Sequence, residues 1–225
     1  MYALNMFPVL YSFRRCPYAI RARMALCYCN IRVELREVSL GDKPKAMLAV
    51  SDKGTVPILV LNNQTVLDQS LDIMRWAINQ SHPDKSLPGS WSIDRNLELG
   101  NHLIQVNDSE FKSSLDGYKY GKSSASLTQI DYRNKAEEFL GELEKLLAEN
   151  RFLLGEDITL VDVSIFPFIR QFAGVDPTWF GSSKYEHLAL WLDRFIKSDL
   201  FLTSMTKYPI WKAGSSDKTY YPINT

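Results

Sequence analysis

Arg15-Cys16-Pro17-Tyr18-Ala19 is the stretch of this chain best suited to chemistry. An apolar run, Phe7 to Phe13, leads into it, and a helical pattern, Ile20 to Cys29, follows it. This places Cys16 at the turn from a strand into a helix, at the N-cap. Pro17 has no N–H to lose and a fixed φ, so it suits the first helical position. At the N-cap the free N–H groups of the first turn and the helix dipole favour an anion. A thiol held there gives up its proton more readily and becomes a nucleophile near neutral pH. Arg14 and Arg15 add positive potential beside it. Read blandly, the same residues describe a buried cysteine that happens to start a helix.

The elements around Cys16 follow from the pattern of apolar residues. Residues 1–81 alternate strand and helix signals. Phe7 to Phe13 reads as a strand, Pro17 to Cys29 as a helix and Ile31 to Ser39 as a second strand. Lys43 to Val50 reads as a short helix or loop. Val56 to Leu61 is a strongly apolar strand, Asn62-Asn63-Gln64 a turn, and Thr65 to Leu67 an antiparallel return. Ser70 to Gln80 resumes a helical period. The order β-α-β-(α)-β-β-α implies two parallel strands joined by a crossover, with a hairpin closing the sheet. Residues 82–92 are rich in Pro, Ser, Gly and Asp and read as a linker. Beyond it, helices are expected at about 93–117, 127–149, 160–174 and 185–197, and the last dozen residues read as an irregular tail. Thr159 and Asp162 form a capping box for the third of these.

Composition bounds the function. The chain has 225 residues, 45% hydrophobic and 23% charged, with a net charge of zero. No basic stripe is present, which argues against a nucleic-acid partner. No apolar run approaches the roughly 20 residues of a membrane span, and no secretory signal pattern opens the chain. Three cysteines fit reduced thiols in a cytoplasmic protein. Cys27 and Cys29 read as small core residues on the helix. His82, His102 and His187 are too scattered for a metal site.

Four features coincide: Cys16-Pro17-Tyr18 at a strand-to-helix turn, Thr55-Val56-Pro57 ahead of an apolar strand, Asp68-Gln69-Ser70 before a helix, and a helical second half with the Thr159-x-x-Asp162 cap. Together they resemble the cytosolic glutathione S-transferase superfamily. The cysteine makes the chain similar to its cysteine-type members, omega-like and related bacterial ones. The resemblance implies an α/β plus all-α fold. A thioredoxin-like (glutaredoxin-like) domain covers 1–81, and an all-helical domain covers 93–225 and carries the second-substrate pocket. It implies glutathione as co-substrate, no metal, a homodimer and a role in detoxification. Cys16 is then the catalytic thiol. Val56, beside a cis bond to Pro57, pairs its backbone with the cysteinyl part of glutathione. Gln69 and Ser70 grip the γ-glutamyl end, and Lys43 meets the glycyl carboxylate. Taken alone, Lys43 is a solvated surface lysine. Gln69 stands where the omega pattern has glutamate, which leaves the counter-charge for the ammonium to Asp68 or to a partner subunit. The pocket is expected between the domains, with Phe111, Tyr118, Tyr120, Phe166 and Arg170 as candidates; each also reads as ordinary core or surface. Trp179-Phe180 reads as packing.

Ala19 narrows the chemistry, because it stands where a resolving thiol would follow Cys16. A monothiol cycle through a mixed disulfide with glutathione remains, as in thiol transfer, dehydroascorbate reduction or deglutathionylation. The alternatives are conjugation of glutathione to an electrophile, activated by Tyr11, Ser12 or Tyr18, and a non-catalytic binding protein that keeps the fold.

Overall fold

The strand β1 (Val9–Ser12) is buried along its whole length, and the Phe13–Cys16 turn connects it to helix α1 (Pro17–Tyr28). These come from a computed structural model that describes residues 7–81, 91, 97–121 and 127–222. Cys29 is the C-cap of helix α1, and Asn30 after it has a φ of 52°, a left-handed conformation that asparagine tolerates. Strand β2 (Val33–Glu37) then runs parallel to β1, with Val9 opposite Glu34 and Ser12 opposite Glu37. After the short helix α2 (Lys45–Leu48) come β3 (Ile58–Val60) and β4 (Val66–Leu67). The expected Asn62-Asn63-Gln64 turn joins them: Gln64 has a φ of 68°, and the Thr65 N–H donates to Asn63 Oδ1 at 3.1 Å. Helix α3 (Ser70–Ser81) closes this part of the chain.

One apolar cluster under the sheet consists of Val9, Tyr11, Val38, Met47, Val56 and Ile58, with Cys16 packed at its border. Helices α1 and α3 pack together. Helix α1 is buried from Ala19 to Leu26, including two arginines, Arg21 and Arg23.

The second compact unit is helical. It holds α4 (Leu97–Val106), a π-helical turn (Asn107–Phe111), α5 (Lys112–Tyr120), α6 (Gln129–Glu149), α7 (Leu160–Ala173), α8 (Pro177–Gly181) and α9 (Glu186–Ile196). Its core is aromatic, with Phe111 against Phe139 and Phe172, and Phe166 stacked on Phe195 at 4.7 Å. At Gly117 a Cβ would lie 2.3 Å from the Tyr132 ring, so only glycine lets α5 approach α6 this closely. The Thr159–Asp162 box forms as expected at the start of α7.

After α9 the chain forms two further elements, of which the strand lies in the last dozen residues expected to be irregular. Helix α10 (Asp199–Ser204) packs on α1, and strand β5 (Tyr220–Tyr221) pairs antiparallel with β2. The sheet order is β4-β3-β1-β2-β5. The compact units are therefore Met1–Ser86 with Ser198–Thr225, and Leu87–Lys197. The helical unit ends short of the 93–225 range expected from sequence, because two tyrosines at 220–221 are too few to show a strand period. The linker expected at 82–92 lies outside the described residues except for the buried Trp91.

Candidate functional site

Cys16 is the N-cap of α1, with φ −74° and ψ 123°, and Pro17 is the first helical residue. The turn before it closes through the Cys16 N–H donating to the Phe13 carbonyl at 3.0 Å. The half-buried sulfur makes no capping bond to the first turn. It lies instead 3.6 Å from the Val56 carbonyl oxygen, with the thiol as donor. The Val56–Pro57 peptide is cis. Cys16, Val56 and Pro57 are thus side by side, although 40 residues separate the first two in sequence.

The Asp68-Gln69-Ser70 corner is tied to the same unit from two sides. Ser70 opens α3 and is buried, and its Oγ accepts from Arg21 Nε at 2.9 Å. The Arg21 guanidinium also lies over the Tyr18 ring at 5.0 Å. Asp68 accepts from Ser51 Oγ at 2.9 Å and pairs with Lys53 Nζ at 2.7 Å. Hydrogen bonding from Lys53 holds its carboxyl below the usual range, against a smaller upward push from burial. Gln69 is exposed, and its carbonyl accepts the Ile73 N–H. Lys43 is exposed too, but its Nζ would lie 3.9 Å from a Cβ on Gly54, two residues before Val56. Gly54 has a φ of +56°, and a side chain there would also crowd Leu48 at 3.3 Å.

Two hydroxyls weighed against Cys16 are otherwise engaged or closed off. Tyr11 is buried, and its hydroxyl accepts from Arg36 Nη1 at 2.7 Å. Ser12 is 0% exposed. Cys27 and Cys29 are free thiols, and burial pushes both up from their ordinary pKa.

The candidate pocket residues fall in the helical unit. Phe111 and Phe166 are core, 1% and 0% exposed, and Tyr118 is buried with its ring 5.1 Å from Phe172. All three contribute to the aromatic core of the helical unit. Tyr120 is exposed and Arg170 half-buried. Trp179 and Phe180 pack as expected: Phe180 is buried, and Trp179 lies between Phe172 and the Arg133 guanidinium.

Sequence reasoning missed Arg21, Ser51, Lys53 and Glu37. Arg21 had a signal, a charge set among Ala19, Ile20, Ala22 and Met24 on a helix that must be buried. The other three had none. Among the described residues no cluster of three or more His, Cys, Asp or Glu could hold a metal ion, and no helix is long and apolar enough to cross a membrane.

A mixed sheet with a cysteine at the β1–α1 turn and a cis-proline beside it, followed by a helical unit, defines a thioredoxin-like domain joined to an all-α domain. Family comparison agrees. Residues 10–86 match the model for the glutathione S-transferase N-terminal domain, and residues 114–194 match that for the C-terminal domain. The chain belongs to the glutathione S-transferase family. A probable maleylacetoacetate isomerase of Caenorhabditis elegans is 29% identical, over 73% of this chain and 78% of that protein. A probable chloroplastic glutathione S-transferase of Oryza sativa, DHAR2, is 22% identical over 84% of this chain and 65% of that protein. Glutathione S-transferase omega-1 of Rattus norvegicus is 24% identical over 94% and 82%. Among solved structures, a glutathione transferase family member from Pseudomonas fluorescens with two glutathione bound superposes with a TM-score of 0.74. It is 17% identical, covering 88% of this chain and 92% of that one.

Proposed function

We propose that this protein is a glutathione-dependent thiol transferase or reductase, of the deglutathionylating or dehydroascorbate-reducing kind, working through Cys16 alone. The observation that carries the reading is the position of Cys16. It caps α1 ahead of Pro17, with its sulfur at the Val56 carbonyl beside the cis-proline. Turned from the Val56 carbonyl toward the first-turn N–H groups, the sulfur would be favoured as an anion. The omega-class relative supports the same reading.

In the proposed cycle the Cys16 thiolate attacks the glutathione sulfur of a glutathionylated substrate. The old disulfide breaks, the substrate leaves as a thiolate and takes a proton from water, and a Cys16–glutathione disulfide remains. The thiolate of a second glutathione attacks the glutathione sulfur of that bond. Oxidised glutathione leaves, and the electron pair returns to Cys16 as thiolate. Ala19 provides no thiol to intercept the mixed disulfide. In this reading Val56 and Pro57 hold the cysteinyl backbone of glutathione, Gln69 and Ser70 its γ-glutamyl end, and Lys43 its glycyl carboxylate. Asp68 is already paired with Lys53, so its charge is largely spent before any ammonium arrives. Conjugation through Tyr11 or Ser12 is disfavoured, since one hydroxyl is bound by Arg36 and the other is sealed in the core.

The test compares wild type with Cys16→Ala in two assays, reduction of a glutathionylated small thiol and conjugation of an aromatic halide. Disulfide reduction is expected in wild type and lost in the variant, while glutathione binding persists in both. Full reduction by Cys16→Ala sinks the mechanism. A wild type that binds no glutathione and performs neither reaction points to a non-catalytic member of the fold.

A further inference from the structure

Glu37 is the last residue of β2, and it is 6% exposed. A buried carboxylate is costly unless it is paired and hydrogen-bonded. Its Oε1 accepts the backbone N–H of Arg14 at 2.5 Å. Arg14 is the second residue of the Phe13–Cys16 turn, two positions before the thiol. Glu37 Oε2 lies 3.5 Å from Arg23 Nη1, on α1. The Arg23 side chain is itself fully buried, with its guanidinium over the Tyr208 and Tyr221 rings. The Glu37 carbonyl accepts the Trp211 N–H at 2.8 Å. Arg14 and Arg23 reach the carbonyls of Met205 and Thr206 at 3.4 and 3.3 Å. One buried acid thus joins the turn that presents Cys16, the helix that Cys16 caps and the returning C-terminal segment.

A buried ion pair is weak ground for stability, since apolar residues of the same volume do as well or better. Apolar residues could not accept the Arg14 N–H. That bond gives a part-buried N–H its acceptor and fixes the first peptide plane of a four-residue turn. The last of the turn's three peptides, Arg15–Cys16, is fixed by the Cys16 N–H on the Phe13 carbonyl. With both held, the sulfur has a defined place at the end of α1.

We propose that Glu37 is a positioning residue for Cys16, holding the β1–α1 turn through the Arg14 N–H. The proposal rests on Cys16 being the reactive group. It goes beyond that reading by assigning the geometry of the thiol to an acid on a neighbouring strand.

The test uses the full chain and two kinds of change. Glu37→Gln keeps an oxygen for the Arg14 N–H, whereas Glu37→Met fills the space without one. Arg14→Pro removes the N–H itself at a turn position where proline is tolerated, and Arg14→Ala removes only the side chain. The first readout is the rate of Cys16 alkylation by iodoacetamide at neutral pH, followed by peptide mass spectrometry. It needs no enzymatic turnover. The second is the kinetics of disulfide reduction. Glu37→Met and Arg14→Pro are expected to slow alkylation of Cys16 about tenfold. They should lower kcat about tenfold or more with little change in the KM for glutathione. Glu37→Gln and Arg14→Ala should stay within about threefold of wild type in both. A folded Glu37→Met or Arg14→Pro protein with wild-type alkylation overturns the proposal. So does a Glu37→Gln protein as slow as Glu37→Met, because charge and not the acceptor would then matter. If Glu37→Met fails to fold, the Arg14 pair decides alone. A wild type that reduces no disulfide sinks the thiol transferase reading, and the alkylation rates then judge Glu37 by themselves.

Discussion

Ser70 Oγ accepts a hydrogen bond from Arg21 Nε at 2.9 Å, and this settles what the hydroxyl has left to offer. A serine hydroxyl has one hydrogen to donate and two lone pairs. With one lone pair held by a guanidinium, the hydrogen is directed to another acceptor. At the start of α3 the first-turn N–H groups favour a carboxylate as that acceptor. Arg21 therefore acts through Ser70: it orients the hydroxyl and adds a buried positive charge behind it. If the γ-glutamyl carboxylate of glutathione binds here, Arg21→Met should raise the KM for glutathione about tenfold or more, the worth of a charge-assisted bond. The kcat per folded site should change by less than about threefold, because Cys16 is left untouched. Steady-state kinetics at varied glutathione measure both. A folded Arg21→Met protein with an unchanged KM would remove Ser70 and Arg21 from the glutathione site. The same logic makes Tyr11 and Ser12 weaker candidates than Cys16 under the proposed mechanism. Their hydroxyls are placed by β1, whose residues are all buried, while Cys16 sits past the end of the strand where a thiol can be reached.

Helix α7 shows how much one element can rest on one side chain. Asp162 is fully buried, and burial pushes its carboxyl up from the ordinary range against the pull of its donors. Those donors are the N–H groups of Thr159 and Leu153, the Thr159 hydroxyl and Trp191 Nε1. The carboxyl thus joins the helix start, the preceding loop and α9. Asp162→Ala would leave several donors buried without an acceptor, at a cost on the order of 3 kcal/mol or more. Urea unfolding measures this, and a loss below about 1 kcal/mol would show that the donors find other partners. This element was legible from sequence because a capping box is local, with its two residues three apart. The β1–α1 turn was legible for the same reason, as were the asparagine-rich hairpin and the four long helices. Strand β5 was not, since two tyrosines gain their strand character only from β2, nearly 190 residues away. The short helices α8 and α10 were missed because neither is long enough to show a period. The site was half readable. Cys16, Val56-Pro57 and Ser70 follow from motifs, whereas Arg21, Lys53 and Glu37 matter through partners far along the chain. For the pocket candidates the sequence leaves two readings open, because an aromatic residue at helical spacing looks the same in a core as at a cavity wall.

On the scale of the whole chain, the C-terminal residues return to the unit that the N-terminal residues begin. The matched family domains end at residue 194, so this return lies beyond them. It covers the open edge of β2: Leu35 donates to the Thr219 carbonyl, and β5 continues the pairing through Tyr221 opposite Val33. Tyr221 is fully buried, donates to the Arg23 carbonyl at 2.8 Å and packs against the Arg23 guanidinium. Trp211 lies edge-on to Tyr11 and beneath the Arg36 guanidinium at 4.5 Å. Lys218 reaches Glu34 at 3.2 Å, but it is half exposed and contributes little. The weight of the return is therefore aromatic. Losing one fully buried aromatic side chain costs about 3–5 kcal/mol, out of a total domain stability of about 5–15 kcal/mol. Tyr221→Ala should lower the free energy of unfolding by about 3–5 kcal/mol, read from urea unfolding as a lower midpoint. Deleting residues 207–225 should do at least as much, and it should also leave β2 as an unpaired edge prone to pairing with another chain. Size-exclusion chromatography would then show larger species for the deletion than for Tyr221→Ala, which keeps the backbone of the segment. If the deletion unfolds at the wild-type midpoint and elutes as wild type does, β2 needs no cover and the return is only draped over the fold. If Tyr221→Ala is as prone to association as the deletion, the side chain and not the paired backbone is what keeps the edge closed.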